Sequence, residues 1–311
     1  MLNWKGRLWS FYALIFPVLL ITACEALAED GLPASIAYQQ VLVINDLLRL
    51  PSDVAVDSQG RIYILDGTAD TVRIYDQQGN SLFTLGNSSI LNQPLGLDVS
   101  AAGDVVVADS RNHRLVLFPA DRSPPRFIPV PSRPGDKLSD PTDVSFGIEE
   151  GIFHVVDNDN HRIVTLDLEG NILWSRGTMG RNPDEFRFPF MMDMDRAGNL
   201  FVVEVINTRV QVLSPEGSYV RFIGDWGIEP GQLFRPKGIA LNDRDEVFVS
   251  DSYLGVIQVF SQDGRFLGII GDYTGHLIKF TTPVGLALSG NRLLVVEMFK
   301  NCLVVLEKLE E

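Results

Sequence analysis

Six prolines, Pro51, Pro94, Pro141, Pro189, Pro236 and Pro283, recur at intervals of 43, 47, 48, 47 and 47 residues, and each opens the same succession of segments. A short apolar strand comes first, then a polar turn, then a second strand ending on an acid: Asp66, Asp109, Asp157, Glu204, Asp251 or Glu297. A third strand and a hairpin turn follow, as at Gln262-Asp263-Gly264. Four β-segments per unit at a period in the forties mark a β-propeller with one blade per repeat. The expected fold is all-β, with six four-stranded antiparallel blades in one domain over residues 39–309.

The first strand of each repeat carries the geometry. Residues three and five after the proline are apolar in every repeat, from Val54/Val56 to Leu286/Leu288. Those two and four after it are mostly small or acidic. Alternation at period two places the large set on one face and the small set on the other, as crowding near an axis requires. The sixth repeat stops after its third strand, Leu303 to Leu309, and Gln40 to Ile44 (QVLVI) is left unassigned ahead of the first. Pairing these two would complete the last blade and close the ring, which removes an open edge. A monomer is the expectation. The proline-rich stretch Ser123 to Pro134 stands where the second blade's fourth strand belongs, and its prolines predict an irregular edge insertion open to a partner.

The N-terminus differs from the rest. Lys5 and Arg7 precede the apolar run Leu8 to Thr22, which is short for a membrane span and suited to an export signal over residues 1–23. Ile21-Thr22-Ala23-Cys24 resembles a bacterial lipobox, which implies lipidation of Cys24 and a membrane anchor through a tether at 24–38. Ala26-Leu27-Ala28 also fits ordinary signal cleavage, giving a soluble periplasmic or secreted protein. Either way the chain is expected to leave the cytoplasm. Removing the signal leaves 24 Lys plus Arg against 40 Asp plus Glu, a net charge of −16, which disfavours nucleic acid as a partner. Cys302 lies in an apolar strand, as a buried free thiol does.

The loops between second and third strands carry a family resemblance. Asn112-His113-Arg114-Leu115 and Asn160-His161-Arg162-Ile163 resemble the motif of NHL-repeat proteins, and Asn207-Thr208-Arg209-Val210 keeps part of it. The resemblance covers roughly residues 40 to 309. It implies a propeller whose relatives include protein-interaction modules, sugar-lactone hydrolases and peptide-amidating lyases. Lactonase-like relatives place acidic and amide ligands where the inner strands begin; here only Asp53 and Asp143 of six such starts are acidic, so that ligand set is not carried over.

Whatever recurs in every repeat is assigned to the fold. The six strand-ending acids are expected to accept backbone N–H groups of their own turns. His113 and His161 match the motif and are expected to be structural rather than half of a zinc or copper site. Asp53, Asp98, Asp143 and Asp193, on four consecutive inner strands, are the candidate metal ligands: crowded carboxylates would favour calcium, or else bond to the next blade or to channel water. No G-x-S-x-G, Walker loop or H-E-x-x-H occurs, and no catalytic residue is assigned. The loop end of the ring gathers Arg111, His113, His161, Phe190, Trp226, Lys237, Tyr253, Phe299 and Lys300, the composition of an interaction surface. The expected function is a non-catalytic propeller binding another envelope protein or polymer; the alternative is a cation-dependent lactonase, esterase or lyase.

Overall fold

A computed structural model describes residues 35–310. The export signal and Cys24 lie outside the described residues. The described residues open on β1 (Ser35–Ile44). β2 (Pro51–Val56), β3 (Ile62–Asp66), β4 (Thr71–Tyr75) and β5 (Ser81–Leu85) make a first antiparallel sheet. β6 (Gly96–Val99), β7 (Val105–Asp109), β8 (Arg114–Phe118) and β9 (Arg126–Pro129) make the second. β10 (Pro141–Phe146), β11 (Phe153–Asp157), β12 (Arg162–Leu166) and β13 (Ile172–Arg176) make the third. β14 (Pro189–Met194), β15 (Leu200–Glu204), β16 (Arg209–Leu213) and β17 (Tyr219–Ile223) make the fourth. The remaining strands are β18 (Pro236–Leu241), β19 (Val247–Asp251), β20 (Val256–Phe260), β21 (Phe266–Gly271), β22 (Pro283–Ser289), β23 (Arg292–Glu297) and β24 (Cys302–Lys308). With β1 they form one eight-stranded sheet in the order β18-β19-β20-β21-β1-β24-β23-β22.

The proline-led strands are innermost. β2 packs on β6, β6 on β10, β10 on β14, β14 on β18, β18 on β22, and β22 back on β2, so they close a circuit. The second strands are mostly apolar up to their terminal acids because both their faces are covered: β3, β7, β11, β15 and β19 are buried at every residue. The core is therefore distributed between successive sheets. Tyr63, Leu65 and Ile74 of the first sheet meet Val105, Val107 and Phe118 of the second in one such layer.

β1 pairs antiparallel with β24 from Tyr38 to Ile44, the closure expected from the sequence. It begins at Ser35, inside the expected tether, and Ser35 to Ala37 run parallel to Ile269–Gly271 of β21. One strand thus covers two edges, which is why the eight-stranded sheet is continuous. The expected irregular insertion at Ser123 to Pro134 is corrected in part. Arg126–Pro129 forms β9 and pairs with β8 from Arg114↔Pro129 to Leu117↔Arg126. The ladder tolerates Pro129 because β9 is an edge and the proline stands at its end. Among the described residues no helix is long and apolar enough to cross a membrane.

Candidate functional site

The strand-ending acids belong to the fold, by a wider set of bonds than their own turns supply. Each accepts a backbone N–H from the connection leading into its sheet: Asp66 from Arg49 (2.8 Å), Asp109 from Asn92 (2.7 Å), Asp157 from Asp140 (2.9 Å), Glu204 from Arg187 (3.1 Å), Asp251 from Phe234 (2.6 Å) and Glu297 from Thr282 (2.9 Å). Only Asp66 and Asp251 also accept N–H groups of their own following turns, from Ala69, and from Tyr253 and Leu254. In the second, third and fourth sheets the acid instead takes the motif's asparagine and arginine: Asn112 and Arg114 on Asp109, Asn160 and Arg162 on Asp157, Asn207 and Arg209 on Glu204.

The histidines between them have backbone reasons for being there. His113 and His161 have φ of 56° and 52°, and the equivalent residues Asp70, Thr208, Gly255 and Asn301 are left-handed too, at 55°, 56°, 65° and 54°. His113 donates from Nδ1 to the Ser139 carbonyl at 2.5 Å. His161 Nδ1 accepts the Phe188 N–H at 3.2 Å, and its ring meets Phe188 edge-on at 4.7 Å. Burial lowers the His161 pKa, with the Lys137 charge adding to the effect. Buried His154 bonds Thr165 Oγ1 through Nδ1 at 2.8 Å, and burial takes its pKa down to about 4.

The four inner aspartates line one axial cavity of about 240 Å³, with Ser145 and otherwise apolar side chains and no Lys or Arg. Each spans two neighbouring sheets. Asp53 accepts the Leu97 N–H at 2.9 Å and Asp143 the Met192 N–H at 2.8 Å, both donors standing three residues after a proline. Asp98 accepts the Phe146 N–H at 2.9 Å and Asp193 the Leu241 N–H at 2.7 Å, both donors standing five after. The carboxylates thus alternate between two levels along the axis, a pattern the sequence carries as aspartate two, four, two and four residues after successive prolines. Where the alternation ends, Ser250 takes over, accepting the Gly238 N–H at 2.8 Å and donating to the Val284 carbonyl at 2.9 Å. Burial drives Asp53 and Asp193 up to about 7 and Asp98 up to about 6, and it raises Asp143 with help from the Asp53 charge. Backbone N–H groups already occupy these carboxylates. Among the described residues no three His, Cys, Asp or Glu side chains gather as a set of metal ligands.

The loop end brings some of its sequence-assigned residues together and separates others. Trp226 and Tyr253 are 62% and 54% exposed, and Phe234 lies between them, with ring centroids 6.5 Å from Trp226 and 4.4 Å from Tyr253. Lys237 Nζ sits 4.3 Å over the Phe190 ring. Burial, aided by the Arg235 charge, lowers its pKa to about 8. Phe299 is exposed, while Lys300 is tied to Glu297 at 3.0 Å and serves its own turn. Arg111 donates from Nε to Gln93 Oε1 at 3.0 Å. Phe234 and Phe188 escaped the sequence reading; the signal for both was an aromatic next to Arg just ahead of a repeat-opening proline, Phe234-Arg235-Pro236 and Arg187-Phe188-Pro189.

Residues 91–118 match the NHL repeat. No curated protein matches the chain in sequence. Among solved structures, a streptogramin B lyase is similar with a TM-score of 0.65 and 13% identity, over 89% of this chain and 99% of that one. A gluconolactonase from Xanthomonas campestris gives a TM-score of 0.64 and 16% identity, over 91% and 98%. A catalytically inactive virginiamycin B lyase from Staphylococcus aureus, solved with quinupristin, gives 0.59 and 15%, over 83% and 80%. At such identities the likeness establishes the fold, a β-propeller with an NHL repeat.

Proposed function

We propose that this β-propeller has six blades, the last two joined by β1 into the eight-stranded sheet, and that it is a binding module of the bacterial cell envelope. The loop end takes another envelope protein or polymer. The observation that carries this reading is the exposed aromatic run Trp226–Phe234–Tyr253. Large aromatics open to water in one run are the anchors on which interfaces concentrate their binding energy. Anchoring through a lipid on Cys24 accounts for the lipobox-like Ile21-Thr22-Ala23-Cys24, and metabolic labelling with palmitate, lost in Cys24→Ala, tests it. The fold shared with a lyase and a gluconolactonase supports the alternative, an enzyme of lactone, ester or lyase chemistry with a cation at the axis.

The deciding experiment places a photo-crosslinker at position 226 of the full chain in its native membranes. One stoichiometric adduct, lost when Tyr253 and Phe234 are both changed to Ala, supports the binding reading. Cation-dependent turnover of lactones or esters by the purified protein overturns it, as does crosslinking that ignores the aromatic substitutions.

A further inference from the structure

Lys237 follows the opening proline of its inner strand; the residues in the same place elsewhere are Ser52, Leu95, Thr142, Phe190 and Val284, none of them charged. Its amine rests on the face of Phe190, a cation–π seat rather than a carboxylate. The strand-ending acid that pairs opposite Pro236 is already committed. Asp251 takes the N–H groups of Phe234 at 2.6 Å, Arg235 at 2.9 Å, and Tyr253 and Leu254 at 3.0 Å each. In the second, third and fourth sheets the acid instead holds an arginine five residues on, Arg114, Arg162 or Arg209; here that position is Val256. Exchanging the arginine for valine leaves Asp251 satisfied by backbone alone. Arg235 and Lys237 are then the cations that follow Phe234 in the chain, in a protein whose formal net charge is −14.

We propose that Lys237 is the anion-recognising residue of the loop end, and that the group it takes is a carboxylate or phosphate carried next to a flat apolar moiety of the partner. This rests on the binding reading above and names the chemistry of the group bound there. A half-buried ammonium lying over a ring has lost part of its water, and an entering anion restores what burial removed. Lysine offers a compact charge with three rotatable donors, which suits either anion. Phe234, three residues upstream in the chain, and the tilted rings of Trp226 and Tyr253 beside it present the apolar surface.

The full chain, its six lysines reductively methylated with ¹³C, allows the Lys237 signal to be followed by NMR. The probes are benzoate, phenyl phosphate and uncharged benzyl alcohol. A saturable shift of the Lys237 signal with either anion and none with the alcohol supports the proposal, and the tighter anion identifies carboxylate or phosphate as the source. Lys237→Met, measured calorimetrically without methylation, weakens the anion by about tenfold or more, and Lys237→Arg restores part of the loss. A Lys237 signal that ignores both anions overturns the inference, as does equal affinity in Lys237→Met. If crosslinking at 226 still depends on Phe234 and Tyr253 in that case, the binding face stands and only its anion chemistry is lost. If the anions bind at Lys237 while crosslinking ignores the aromatics, it is the binding face that fails.

Discussion

Asp143 occupies the space in which a side chain on Gly96 would stand. A β-carbon there would lie 2.6 Å from the Asp143 Cα and closer still to its Oδ1. Gly285 stands in the same relation to Asp53, 2.7 Å from its Cα. Asp53 and Asp143, which reach forward to the next sheet two residues after their prolines, therefore lean back against a glycine of the sheet behind. Backbone cannot swing aside as a flexible side chain can, so Gly96→Ala is expected to cost about 1–3 kcal/mol in urea denaturation. A change within error would show that the inner strands give way more easily than their packing implies.

The axial carboxyls set a pH dependence whose sign follows from burial. Asp53 and Asp193 reach about 7 and Asp98 about 6, against 3.8 when unfolded. Between those values the folded chain holds protons that the unfolded chain releases. Their contribution to stability is complete below the unfolded value and is lost as pH rises through 6 to 7. His154, lowered to about 4, opposes this, because it takes its proton only on unfolding. Comparison of wild type with Asp98→Asn cancels the opposing groups. From about pH 4 to about pH 6 the wild type should lose stability relative to the variant, by at most about 1.4 kcal/mol per pH unit for the one proton concerned, with little further change above. A pH-independent difference would mean that Asp98 stays ionised throughout.

The Asp157–Arg162 pair is fully buried on both sides, at 2.8 Å. Asp157→Ala removes the nearer carboxylate of the guanidinium, leaving it Asp136 at 3.5 Å and the Pro131 carbonyl, and also frees the Asp140 N–H, so a loss of about 3–5 kcal/mol is expected. Asp251→Ala strands backbone donors but no buried cation, and a smaller loss should follow. Equal losses from the two substitutions would contradict the distinct roles assigned to them.

Deleting residues before Asn45 removes β1 and exposes β24 and β21 together. Two unpaired edges invite pairing between chains. Light scattering should show oligomers or aggregates for the truncated chain and a monomer for the intact propeller. A monomeric, cooperatively folding truncation would show that β1 is dispensable for closure.

Much of this architecture was legible because it repeats. Proline spacing, the acids at strand ends and the apolar second strands each recur with the period of one sheet, and a buried strand between two sheets can only read as an apolar run. The left-handed turn went unread in the sequence, although His, Asp, Thr, Gly and Asn share one position four residues after the acid. The β9 ladder was obscured because prolines argue against a strand except at an edge, and edges are set by what packs outside. The parallel pairing of Ser35 to Ala37 left no pattern, because it depends on where β21 ends in space.

The amino-acid order alone determined the repeat, the direction of each strand and the residues that face the axis, since local alternation and turn chemistry answer to neighbours in the chain. Tertiary structure decided which side chains are spent and which are left over. Asp53 and Asp251 are both acids of a repeat, yet one bridges two sheets and the other ties together the connection into its sheet and its own following turn. Lys237 and Lys300 are both lysines of the loop end, yet one rests on a ring and the other is neutralised by Glu297. Such differences arise from contacts between segments tens of residues apart, where distance and desolvation, rather than residue type, set what a charge does.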